Sequence, residues 1–264
     1  MATGADLVSL QWTLYGSRNP TRRWLHGARR TWITRAIRRS AQQGGRALEV
    51  GPGSGIYIPT LKELFSEVYV ADCERSYLDS IEKRYADNAA VHIVLDDITE
   101  SRLPGEHFDF VLCTEVVEHI SDSRAAFLHI ARILKPEGIL VLSTPQRYSF
   151  LELTARVALS RWLIWFTRLI YREPVSEMGH INLMTATTVE AQLSVAGLRV
   201  IARHKGGLYL PGIAEFLGTF GQRLAAQLES LIRNTWLDGI LWTQYYIARR
   251  SRRTDQSAYR QGGQ

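Results

Sequence analysis

The sequence predicts an α/β fold built on a mostly parallel β-sheet with helices on both faces. Three observations predict it. From residue 46 onward, short apolar runs ("RALEV", "VYVAD", "VHIVLD", "FDFVLC" and "GILVLST") alternate with stretches of helical periodicity such as "SYLDSIEKRYAD" and "SDSRAAFLHIARILKPEG". The runs are apolar nearly throughout rather than at every second residue, the pattern of strands buried on both faces and so of a parallel sheet. Acids stand at or just beyond the ends of four successive runs, Glu49, Asp72, Asp97 and Glu115, where ligands bind in sheets of this kind.

Ahead of the first strand, "RRWLHGARRTWITRAIRRSAQQ" reads as a helix with Leu25, Ala28, Trp32 and Ala36 on one side and arginines over most of the rest. Residues 1–48 hold nine arginines and one acid, Asp6, and the tail from Arg249 holds five arginines and Asp255. Both ends are therefore basic around a mildly acidic middle, within a total of +6. That distribution argues against a nucleic-acid groove, as does the lack of zinc-finger spacing or an aromatic stacking platform, while an anionic membrane surface remains compatible. The two cysteines, Cys73 and Cys113, have no metal-like spacing, and "MATGADLVSLQWTLYG" has no basic stretch followed by an apolar core. A cytoplasmic protein without a secretory signal is the expectation.

The first strand runs into "EVGPGSGIYIPTL", where Gly51, Gly53 and Gly55 permit a tight turn and close approach of the backbone to a ligand. Ile56 stands where a dinucleotide fingerprint needs its last glycine, and Glu49 would repel a pyrophosphate. A nicotinamide oxidoreductase is disfavoured on both counts, and Glu49 suits a ligand with a cationic end. Asp72, at the end of the second strand, is placed to accept both hydroxyls of a ribose. In "LDDIT", Asp97 is placed to accept from an adenine amino group, with Ile98 packing on the ring. "LCTEVVEHI" then gathers Glu115, Glu118 and His119 at the end of the fourth strand, and carboxylates are seldom buried unpaired.

With these residues in view, "LEVGPGSG", Asp72, "LDDIT", "FDFVLCTEVVEHI" and "ILKPEGILVLSTPQR" resemble the ordered motifs of class I S-adenosylmethionine-dependent methyltransferases, over roughly residues 20–205 and with a last strand at "LWTQYYIARR". The resemblance implies a Rossmann-like seven-stranded sheet whose final strand is antiparallel. It also implies that Glu49, Gly51, Gly53, Gly55 and Glu115 lie by the methionine part of S-adenosylmethionine, Asp72 by the ribose, and Asp97 and Ile98 by the adenine. Pro52 replaces the usual Cys or Ser between the first two glycines, at a position asked only for backbone. Within the superfamily "EVVEHI" resembles the ubiquinone-biosynthesis O-methyltransferases and the enzymes that methylate the 2′-hydroxyl at RNA 3′ ends. In the latter, two Glu and two His hold a divalent metal. By that resemblance Glu115, Glu118, His119 and His180 form a candidate Mg²⁺ or Mn²⁺ site. The alternative gives His119 and Glu115 catalytic roles without metal, His119 as general base.

Two insertions bear on the acceptor. On a helical wheel, "FLELTARVALSRWLIWFTRLIY" (150–171) puts Leu151, Ala155, Ala158, Leu159, Trp162, Trp165, Phe166 and Leu169 on one side. Glu152 and three arginines make it unsuited to span a bilayer, so it reads as an interfacial helix, a lid for a greasy substrate, or a face for core packing or a homodimer. A second insertion, 206–237, is expected to pack beside it and wall the acceptor pocket. The organisation is thus a helical lid (1–45), a cofactor-binding α/β core (46–145), an amphipathic insertion (146–185), the rest of the sheet (186–249) and a basic tail (250–264) expected to be disordered. The expected function is methylation, most simply at a hydroxyl, of a hydrophobic small molecule such as a phenol, quinone precursor, lipid or polyketide. C- or N-methylation and a non-catalytic cofactor-binding partner are the alternatives. The partners expected are the acceptor and a peripheral membrane contact, with no nucleic acid.

Overall fold

The computed structural model describes residues 20–158, 180–210 and 213–252. Helix α1 (Pro20–Ser40) leads into β1 (Arg46–Val50), α2 (Ile58–Leu64), β2 (Glu67–Asp72), α3 (Arg75–Tyr85), β3 (Val91–Leu95) and β4 (Phe108–Thr114). A 3₁₀ turn (Val117–His119) follows, then α4 (Ser123–Ile133), β5 (Leu134–Pro145), α5 (Phe150–Ala158), α6 (Ala186–Val195), β6 (Leu198–Gly206), α7 (Ile213–Ile232) and β7 (Thr243–Arg250). The sheet has seven strands in the order β3-β2-β1-β4-β5-β7-β6, with β7 antiparallel to both neighbours, as the resemblance implied. The order reverses between β1 and β4, and the crevice above their carboxyl ends is where such sheets take ligands.

Side-chain alternation divides the core into two layers. Leu48, Val111, Leu140 and Leu142 pack toward α4 and α6, through Phe127, Ile130, Val189 and Leu193. Ala47, Val70, Phe110, Leu112 and Val141 pack toward α1, α2 and α3, through Ile33, Ile37, Leu61 and Ile81. Asp122 caps α4 by accepting from the Ala125 N–H at 3.0 Å.

Two details differ from the sequence reading, and a third adds to it. The buried stripe of α1 is Leu25, Arg29, Ile33, Ala36 and Ile37, whereas Ala28 is exposed and Trp32 is half-buried, packed on Tyr245 and His204. Helix α4 stops at Ile133 and "LKPEG" already belongs to β5, which pairs with β4 through an irregularity between Phe108 and Phe110. The second insertion packs along α1: Gln222 Nε2 donates to the Pro20 carbonyl at 3.2 Å, and Glu229 accepts from the Gly207 and Leu208 N–H groups. Of the first insertion, residues 159–179, including Leu159, Trp162, Trp165, Phe166 and Leu169, lie outside the described residues, as do residues 1–19 and 253–264. Among the described residues no helix is long and apolar enough to cross a membrane.

Candidate functional site

The glycine loop follows β1 directly. Gly51, Gly53 and Gly55 all take positive φ (63°, 52° and 70°). A Cβ at Gly51 would run into Val116 Cγ2, and one at Gly55 would come 2.8 Å from Ile58 Cδ1. The loop thus lies pressed between α2 and the turn that carries the Glu-Glu-His cluster. Glu49 shares the α1–α3 side of the sheet with Ala47 by strand alternation. Its carboxylate is buried, Oε2 has no hydrogen-bond partner among the described residues, and burial pushes its pKa up to about 8. An orphaned buried carboxyl is costly unless a charge or donor reaches it. The ammonium of the methionine end of S-adenosylmethionine is such a group, so these residues fit that cofactor.

Asp72 closes β2 half-buried; its Oδ1 accepts from the Glu74 N–H at 2.9 Å, and burial raises its pKa. Ile98 is buried, and Asp97 is exposed with Oδ1 accepting from the Thr99 N–H at 2.8 Å and from Thr99 Oγ1 at 2.7 Å. The neighbouring Asp96 has one oxygen on the Arg102 N–H and the other buried without a partner among the described residues, which its place beside Asp97 in "LDDIT" does not signal.

At the end of β4 the two glutamates part. Glu115 adopts φ 56°, a left-handed conformation rare outside glycine. Its N–H donates to the Ser143 carbonyl, Ser143 Oγ donates to its Oε1 at 2.9 Å, and Arg29 pairs with its Oε2 at 2.7 Å. Glu118 is fully buried and accepts from Thr144 Oγ1 at 3.1 Å, while its Oε1 has no hydrogen-bond partner among the described residues. Ser143 and Thr144 are consecutive on β5 and face opposite sides, so Glu115 turns to the α1 side and Glu118 to the α4–α6 side. Burial and then the charge of Glu115 push Glu118 well above the usual carboxylate range.

His180 is far away in sequence but near in space. The Ile181 and Asn182 N–H groups both donate to the Glu118 carbonyl at 3.0 Å, and Asn182 Nδ2 donates to Ile120 O and Ser123 Oγ. Ligand atoms of Glu118, His119 and His180 then lie within 4.8 Å of one another, and the two imidazoles have centroids 5.3 Å apart. Three of the four candidate metal ligands are thus brought together. Glu115 stands outside that group, taken up by Arg29. The buried Glu152 adds a carboxylate whose Oε1 is 3.2 Å from His180 Nδ1.

Arg29 was hidden among the arginines of α1. It lies buried over the ring of Trp242, with Cζ 4.1 Å from the centroid, and NH2 also donates to Thr243 Oγ1 at 3.4 Å. The only sequence signal for it is its place in the buried i, i+4 series Leu25–Arg29–Ile33.

A family model described as a methyltransferase domain matches residues 22–203. The ubiquinone biosynthesis O-methyltransferase of Bradyrhizobium diazoefficiens is 36% identical over 107 residues, 39% of this chain and 41% of that protein, so the chain spans less than half the length of this curated relative. An S-adenosylmethionine-dependent methyltransferase from Mesorhizobium loti superposes with a TM-score of 0.59 at 17% identity, covering 86% of this chain and 100% of that one. The N-methyltransferase NodS from Bradyrhizobium japonicum, solved with S-adenosyl-l-homocysteine, gives a TM-score of 0.54 at 18% identity, covering 89% and 90%. At such identities the two structures speak for the fold.

Proposed function

The chain belongs to the family of methyltransferase domains, and on that premise we propose that it transfers a methyl group from S-adenosylmethionine to a hydroxyl of a hydrophobic small molecule, such as a phenol, quinone precursor, lipid or polyketide. The observation that carries the reading is the contact between the glycine loop and the 115–119 turn, where Val116 fills the space over Gly51. It makes the cofactor-binding half and the Glu118–His119–His180 group neighbours across the switch point of the sheet.

In this reading the loop backbone and Glu49 hold the methionine end, Asp72 holds the ribose, and Asp97 and Ile98 hold the adenine. The bound cofactor supplies an electrophilic methyl group on its sulfonium. The chain has to aim the acceptor oxygen and remove its proton. His119, exposed beside the crevice, takes that proton, and His180 with Glu152 behind its Nδ1 shapes the acceptor side. The enzyme works in the cytoplasm and binds no nucleic acid.

The geometry of the cluster favours a second version of the same site. Glu118, His119 and His180 offer one carboxylate and two imidazoles to an Mg²⁺ or Mn²⁺ ion, and Glu118 Oε1 is a buried acceptor awaiting a partner. An ion there would lower the acceptor pKa and favour two adjacent oxygens. The test is formation of S-adenosylhomocysteine on catechol-type and singly hydroxylated acceptors, with and without chelator, for the wild type and His119→Ala. Chelator-sensitive turnover restored by Mg²⁺ or Mn²⁺ selects the metal. Chelator-insensitive turnover that loses its ionisation in His119→Ala selects the base. Methyl found on carbon or nitrogen replaces the hydroxyl reading, and calorimetric binding without turnover on any acceptor leaves a cofactor-binding partner protein.

A further inference from the structure

Helix α7 wears its apolar side outward. Its buried positions are Gly221, Ala225 and Glu229, small residues and an acid held by two backbone N–H groups and by Arg233. Around the helix from these, Phe220, Leu224, Leu228 and Leu231 repeat at helical spacing, with Phe220 65%, Leu228 37% and Leu231 72% exposed and Leu224 half-buried between them. Phe216 and Leu217 extend the patch beyond the break at Gly218, and Trp236, 89% exposed, extends it past the carboxyl end. Isolated exposed apolar residues need no explanation, but a contiguous stripe of this kind marks an interaction surface.

The neighbouring helix indicates what covers it. Helix α1, which packs against α7, contains seven arginines and no acid, and Arg23, Arg30, Arg35, Arg38 and Arg39 are exposed, Arg38 in an ion pair with Glu63. A second copy docked on α7 about a two-fold axis would bring two such helices toward one another, which like charge opposes. A bilayer with anionic headgroups satisfies both features: acyl chains take the leucines and phenylalanines, the interface takes Trp236, and the headgroups take the guanidinium groups. We propose that α7 and α1 together form a docking face for an anionic lipid surface. The proposal is separate from the identity of the acceptor and places a membrane contact on α7, beside the interfacial reading of residues 150–171.

The experiment is flotation of the full chain with vesicles of phosphatidylcholine alone or mixed with phosphatidylglycerol, alongside sedimentation of the free protein. The wild type is expected to float with the mixed vesicles, less with neutral ones, and less as salt rises. Phe220→Ser combined with Leu231→Ser should weaken partitioning by about tenfold or more, since each loses most of a buried side chain. Both residues are exposed and away from the crevice, so the variant should keep the wild-type melting shift with S-adenosylhomocysteine. Failure of the wild type to float, or equal flotation of the folded double variant, overturns the proposal. A wild-type dimer that the same substitutions turn into a monomer, without loss of flotation, assigns the stripe to a second copy and overturns it too.

Discussion

Glu115 holds a left-handed backbone at φ 56°, a conformation that costs a non-glycine residue on the order of 1 kcal/mol or more. Three partners offset the cost: the Ser143 carbonyl, Ser143 Oγ and Arg29. Arg29→Ala would remove the cation and leave the Glu115 carboxylate without its ion pair. We expect a loss of about 2–3 kcal/mol in chemical denaturation, less than the ~3–5 typical of a fully buried broken pair because Glu115 stays partly exposed. Arg29→Lys should recover part of this. Asp72→Ala should weaken S-adenosylhomocysteine binding by roughly 2–4 kcal/mol, through loss of charge-assisted bonds to the ribose, with calorimetry as the readout. Affinity that does not change would remove the ribose from the end of β2. At this scale the acids at strand ends were legible because strands end in predictable places. Arg29 and Glu152 were not, because a charged residue looks solvated in sequence until a distant partner is known, and their partners are 86 and 28 residues away.

At the scale of elements, the strands were read from unbroken apolar runs, and β1 and β2 were placed to within a residue. The wheel drawn for α1 was rotated because it scored arginines as outward-facing, whereas Arg29 occupies the inner stripe. The start of β5 was missed because Pro136 and Gly138 read as a helix stop, while the pairing with β4 absorbs them in an irregularity. The sequence places 206–237 as a wall of the acceptor pocket, and helical periodicity marks the apolar face of α7 without saying what that face meets. The inward side depends on small residues. A Cβ at Gly221 would run into the Ile213 carbonyl across the break at Gly218. Gly221→Ala is therefore expected to destabilise α7 by about 1–3 kcal/mol despite the better helix propensity of alanine. Faster proteolysis around α7, with cofactor affinity retained, would register it; a stabilised variant would contradict the packing.

For the molecule as a whole, one buried proton links folding to cofactor binding. Glu49 has its pKa raised to about 8 by burial, against an ordinary carboxyl value of 4.5 in the unfolded chain. The folded protein therefore keeps a proton that the unfolded chain has released. Its contribution to stability is complete below about pH 4.5 and is lost as pH rises toward about 8. Binding a ligand whose ammonium meets Glu49 favours the ionised form, so binding between those limits expels the proton. Affinity for S-adenosylhomocysteine should thus rise with pH between roughly 5.5 and 7.5, by at most tenfold per unit. At a ligand concentration of 100 Kd the gain in stability is ~2.7 kcal/mol, a rise in Tm of roughly 5–10 °C for a chain of this size. Calorimetry in buffers of different ionisation enthalpy should register about one proton released per cofactor bound near pH 6.5. Glu49→Gln should flatten both the pH dependence of apo stability and that of affinity, and abolish the proton release. If the variant releases the same proton as the wild type, Glu49 does not face the ammonium, and the orphaned carboxyl beneath the glycine loop must be satisfied by something else.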